Sequence, residues 1–155
     1  MQTETNPENM QKYENYKEQF KRLNRAMNQC FYLEAMFIAY AIMEDRTESI
    51  LRHAGKWEAY VKSRKGYNPT IDSKIRYIQK QAEQKGIVLH KYFSDGLLEE
   101  VLDWKEERNR MIHALMKQAL TTEILESLAL QGKNLARTLT NKSGSFNRAM
   151  DRQSF

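Results

Sequence analysis

Residues 31–51 read FYLEAMFIAYAIMEDRTESIL, and how this stretch is read decides the fold. It contains no Gly or Pro, and its apolar residues cover most of a helical circumference instead of one stripe. A helix that is apolar nearly all round belongs in a core. The most apolar part, Cys30 to Met43, is 14 residues long and is interrupted by Glu34. A bilayer span needs about 18–20 apolar residues, so the expectation is a central core helix and no membrane segment. Cys30 is expected to be a small buried hydrophobe on it. Arg52 and His53 ahead of Gly55 fit its C-terminus, where cations meet the negative end of the helix dipole.

On the N-terminal side, Tyr13, Tyr16, Phe20, Leu23 and Met27 recur at three- and four-residue steps, the mark of a surface helix with one apolar stripe. On the other side, GKWEAYVKSRKGYNP is a weakly periodic connection. Thr70 or Asp72 then caps a third helix carrying Ile71, Ile75, Ile78 and Ala82. After a short apolar run (87–93), Ser94 is the expected N-cap of a fourth helix, whose inner face holds Leu97, Val101, Trp104 or Lys105, and Ile112. Thr121-Thr122 opens a fifth, with Gly132 weakening its middle. The expected architecture is all-α: a single bundle of about five helices over residues 10–140, a flexible N-terminus (1–9) and a mobile basic tail (141–155).

Composition supports this reading. Six Gly and two Pro in 155 residues are too few for an all-β chain, which needs turns every ~8–12 residues. A single Cys excludes a disulfide scaffold and fits a reduced compartment. The first ten residues, MQTETNPENM, lack the basic and apolar regions of a signal peptide, so the expected location is the cytoplasm.

The net charge of +5 is unevenly spread. Residues 52–91 hold ten Lys/Arg against three Asp/Glu, residues 92–107 one Lys against six acids, and residues 131–155 five Lys/Arg against one Asp. Basic zones of this density favour polyanions through phosphate contacts and counterion release. Lys62, Arg64 and Lys65, with Arg110 further on, are the candidate RNA-binding residues. The competing reading is a solvated surface with no partner.

Arg108-Asn109-Arg110-Met111-Ile112-His113 is the stretch that can carry chemistry. At about 100° per residue, Arg108 and His113 stand roughly 140° apart around the helix, while Asn109 and His113 share a face. One such helix makes a poor site, but two packed across a two-fold axis would bring two Arg and two His to one cleft. His is the side chain suited to proton transfer near neutral pH, here from a 2′-hydroxyl or to a leaving 5′-oxygen. Arg108 would stabilise the charge growing on the phosphate, and Asn109 would orient either group. The spacing calls for no metal or other cofactor. The bland alternative is a surface helix whose Arg pairs with Glu106 or Glu107 and whose His is incidental.

These residues carry a resemblance. Arg, a polar residue after it, and His a few positions on, late in a helix of a small helical domain, resemble the hallmark of the HEPN superfamily. The segment 31–51 is similar to that family's long second helix. The resemblance implies an up-and-down helical core, a homodimer and a metal-independent endoribonuclease cutting single-stranded RNA to 2′,3′-cyclic phosphate ends. It also implies toxin–antitoxin or phage-defence roles, with an antitoxin or other protein as partner, although some members are non-catalytic nucleotide-, RNA- or protein-binding modules. It gives Glu44 and Glu48 as acids of the second helix that support Arg108. In one branch a Tyr stands two residues after the His. Leu115 occupies that position here, so that branch's form of control is not implied.

Overall fold

The computed structural model describes residues 7–153. They form α1 (Pro7–Asn28), α2 (Tyr32–His53), α3 (Trp57–Ser63), α4 (Ile71–Ala82), α5 (Val88–Phe93), α6 (Leu97–Ala114) and α7 (Thr122–Gln153). The all-α expectation holds among the described residues, but there are seven helices where the sequence predicts about five. No helix among them is long and apolar enough to cross a membrane.

As predicted, α2 is the central helix. It packs on α1, α3, α4, α6 and, most extensively, α7. Ala35, Met36, Ala39, Met43, Ile50 and Leu51 are essentially inaccessible to solvent. Its end is also as read: Gly55 takes φ +68° while Lys56 N–H returns to the Leu51 carbonyl at 2.9 Å. Thr70 is the cap of α4, its hydroxyl accepting from Ser73 N–H at 3.2 Å in a reciprocal capping box.

Several local expectations are corrected. The 57–63 and 87–93 segments contain short helices, stabilised by burial of Tyr60 in one and of Leu89 and Phe93 in the other. Ser94 does not cap α6. Its hydroxyl donates to the His90 carbonyl at 2.6 Å, closing α5. Gly96 (φ +89°) takes the N-cap position, and Asp95 Oδ1 accepts the Leu97 N–H at 3.2 Å. The mobile tail expected from 141 is helical to Gln153, because Ser143 and Phe146 extend the buried stripe of Leu135, Ala136 and Leu139; residues 154–155 lie outside the described residues. Of the flexible N-terminus expected over 1–9, residues 7–9 are helical, since α1 begins at Pro7; residues 1–6 lie outside the described residues.

Cys30 is exposed, not buried. It sits in the α1–α2 turn with φ +60°, and the bonds Phe31 N–H to Ala26 O (2.8 Å) and Cys30 N–H to Met27 O (3.2 Å) make a Schellman ending. That position favours glycine, since the left-handed conformation costs other L-residues roughly 1–2 kcal/mol. Cys30→Gly is therefore expected to stabilise the protein by about 0.5–1 kcal/mol, and Cys30→Val to destabilise it by a similar amount. Urea unfolding of the two variants checks this; equal midpoints would contradict it.

Candidate functional site

The Arg108 motif lies in the last two turns of α6, where the helix meets α2 and α4. Arg108 is half-buried, and its guanidinium carbon lies 4.7 Å from the centroid of the Tyr40 ring of α2. Its Nη1 donates to Asn109 Oδ1 at 3.1 Å, whereas its Nε is buried with no partner. Arg108 and Asn109 are thus in direct contact, with Tyr40 as the platform. His113 is exposed and makes no hydrogen bond or ion pair among the described residues. One helical turn separates it from Asn109, and Ile112 and Met116 beside it are 39% and 95% exposed.

A polar network underlies the motif. Lys105, one turn before Arg108, reaches Asp72 at 2.6 Å and Glu106 at 2.8 Å with only 10% of its side chain exposed. Burial works against the Lys105 charge, but Asp72 and Glu106 outweigh it and raise its pKa. Lys74 of α4, similarly buried, faces Glu44 of α2 at 3.8 Å. Burial, helped by the nearby Glu44 charge, raises the Tyr40 phenol, while Arg108 and Lys105 pull the other way. Tyr40, Asp72, Lys74 and Lys105 were not singled out as site residues. For the charged three the only sequence signal is charge at core positions, such as Lys105 on the inner face of its helix, and Tyr40 has none beyond its place on the apolar α2.

The other candidate residues are placed as follows. Glu44 meets Lys74, and Glu48 pairs with Arg52 at 2.8 Å, so neither acid pairs with Arg108. Lys62 and Lys65 are exposed on α3 and the turn after it. Arg64, between them, is half-buried and donates to the Asn68 carbonyl at 3.3 Å, which ties it to its own loop. Arg110 is exposed and paired with Glu107. His53 donates through Nδ1 to the Ser49 carbonyl at 2.9 Å, and His90 through Nδ1 to the Ala82 carbonyl at 2.7 Å. A carbonyl only accepts, so both rings carry the proton on Nδ1 and both serve as helix-end caps. No group of three His, Cys, Asp or Glu among the described residues could hold a metal ion.

What the arrangement offers is a fixed cation beside an amide, held against an aromatic ring, with an imidazole one turn further along an exposed helix end. Comparison with family models, with curated proteins and with solved structures finds no match to this chain.

Proposed function

We propose that the protein is a HEPN-like, metal-independent endoribonuclease that acts as a homodimer on single-stranded RNA. The observation that carries this reading is the Arg108–Asn109 contact on the Tyr40 ring, with His113 one turn away and open to solvent. A scissile phosphate against Arg108 would leave the His113 imidazole free to move the proton of a 2′-hydroxyl or of the leaving 5′-oxygen. The 2′-oxygen attacks phosphorus, the 5′-oxygen departs with a proton, and a cyclic phosphate remains. A second copy supplies the opposing His and covers Ile112 and Met116. Lys62 and Lys65 extend the basic surface for the rest of the strand.

The test is incubation of the protein with single-stranded RNA in EDTA. Wild type is expected to cut, leaving cyclic phosphate ends, and His113→Ala to cut at least ~100-fold more slowly, the usual loss for a general acid–base group. Equal rates would overturn the reading, as would a monomer in light scattering under assay conditions.

The unpartnered His113 ring favours a second reading, because catalytic imidazoles are commonly oriented by another group. A non-catalytic nucleotide-, RNA- or protein-binding module would show no cutting, and any salt-dependent RNA binding would survive His113→Ala.

A further inference from the structure

Three helix faces converge away from the Arg108 motif. On α1, Lys12, Tyr13 and Tyr16 lie on one side; on α2, Arg46; on α7, Arg137 and Gly144. Between them is a groove of about 710 Å³, within the ~300–1,000 Å³ range of ligand clefts. At about 100° per residue, Arg46 stands roughly 160° around α2 from Glu44 and 120° from Tyr40, so this groove and the Arg108 motif occupy different sides of the central helix.

The chemistry of its walls is one-sided. Lys12, Lys17, Arg46 and Arg137 face it, and none of the described residues lining it is acidic. Asp45 borders it and offsets part of this charge, taking Lys12 at 3.5 Å and Arg46 at 3.1 Å and accepting from the Tyr16 hydroxyl. Burial pushes the Asp45 carboxyl up, but these hydrogen bonds and cations hold it below the usual carboxylate range. One carboxylate against four cations leaves a net positive groove.

Arg46 is a built feature, not a surface charge. Only 11% of its side chain is exposed, its guanidinium carbon lies 3.9 Å from the Tyr16 ring centroid, and its Nε donates to the Tyr16 hydroxyl at 2.5 Å. Tyr13 is 63% exposed, and the Phe20 ring lies 5.9 Å from the Arg137 guanidinium. Two atoms of wall residues, Thr140 Oγ1 and Asn147 Oδ1, are buried without hydrogen-bond partners among the described residues.

Gly144 keeps the groove open on the α7 side. A Cβ there would meet only Arg148 Nη1, at 3.5 Å, an ordinary contact. Nothing in the packing calls for glycine, and a helix interior disfavours it by about 1 kcal/mol relative to alanine.

We propose that this groove binds a nucleotide unit, its phosphate held by Arg46, Arg137 and Lys12 and its base laid on Tyr13. Four cations against one bordering carboxylate favour a phosphate, and an exposed aromatic face binds bases of any sequence by stacking. The unit is either a free nucleotide or part of an RNA strand. The inference stands apart from the ribonuclease reading, because it uses none of Arg108, Asn109 or His113.

Titration calorimetry of the full chain at low salt tests it with AMP, adenosine, inorganic phosphate and the 5′-phosphorylated dinucleotide pApA. AMP is expected to bind at least about tenfold more tightly than adenosine or phosphate alone, since both halves are recognised. Arg137→Ala is expected to weaken AMP about tenfold. Gly144→Leu should abolish binding without lowering the melting temperature, because Leu is the better helix former. His113→Ala should bind AMP as wild type does, which separates this site from the proposed catalytic one. Tighter binding of pApA than of AMP assigns the groove to an RNA strand, and equal binding to a free nucleotide; both support the site. No AMP binding at millimolar concentration would overturn it. So would undiminished binding by Gly144→Leu, or phosphate binding as tightly as AMP.

Discussion

Gly132→Ala is expected to lower stability by about 1–5 kcal/mol, even though alanine is the better helix former. The two effects have opposite sign. In a helix interior, Gly to Ala gains about 1 kcal/mol from propensity. Against this, a Cβ at 132 would lie 2.3 Å from Trp104 Cζ2 and 2.8 Å from Cε2. The indole cannot give way cheaply, being 1% exposed and donating Nε1–H to the Leu128 carbonyl at 2.9 Å. Forcing an extra methyl into such a core costs about 1–3 kcal/mol. Turning the ring to avoid it would also strand a buried donor, at about 1–3 kcal/mol. The clash therefore wins. Gly144→Ala, with a Cβ in ordinary contact, is the control and should gain about 0.5–1 kcal/mol. Urea unfolding followed by circular dichroism measures both; a Gly132→Ala midpoint at or above wild type would refute the packing argument.

Gly132 also shows why part of the fold was hard to read. It belongs to the buried stripe of α7, which runs Leu128, Gly132, Leu135, Leu139, Ser143 and Phe146 at steps of three and four. Two members of the stripe are not hydrophobic, so the pattern fades where the chain turns polar, and the last turns resemble a tail. The buried α2 was legible because its signal is long and uninterrupted, and the Thr70 cap because capping is chemistry between near neighbours. The helices at 57–63 and 88–93 are too short to form on their own and owe their existence to burial of Tyr60, Leu89 and Phe93. The candidate site divides in the same way. Arg108 and Asn109 are adjacent in sequence and meet in space, whereas the Tyr40 platform is a tertiary contact that helical periodicity does not encode. Glu44 reached the right neighbourhood but faces Lys74, since that buried ammonium is the charge in need of a carboxylate.

Asp72→Ala is the second large effect, with an expected loss of about 2–3 kcal/mol at neutral pH. Asp72 accepts from Lys105 Nζ through both oxygens, at 2.6 and 2.7 Å, and Lys105 is 8% exposed. Removing one partner of a fully buried pair costs about 3–5 kcal/mol, because the other charge is left without compensation. The loss here is smaller because the Asp72 side chain is 37% exposed and Glu106 stays at 2.8 Å. Lys105 stands three residues before Arg108 on the same side of α6. If the penalty comes from a stranded ammonium, deleting both charges should remove it. Asp72→Ala with Lys105→Met is therefore expected to recover most of the loss, since an apolar side chain of similar length needs no partner. The pH dependence follows from the raised Lys105 pKa. The pair's contribution is fully present below the unfolded lysine value of about 10.5 and is lost as pH rises through the higher folded value. The gap between wild type and Asp72→Ala should then narrow above about pH 10, where a neutral amine replaces the stranded charge. Urea midpoints at pH 7 and pH 10.5 decide it: a double variant as unstable as Asp72→Ala, or a gap that does not change with pH, would mean that packing around Asp72, not the charge on Lys105, sets the cost.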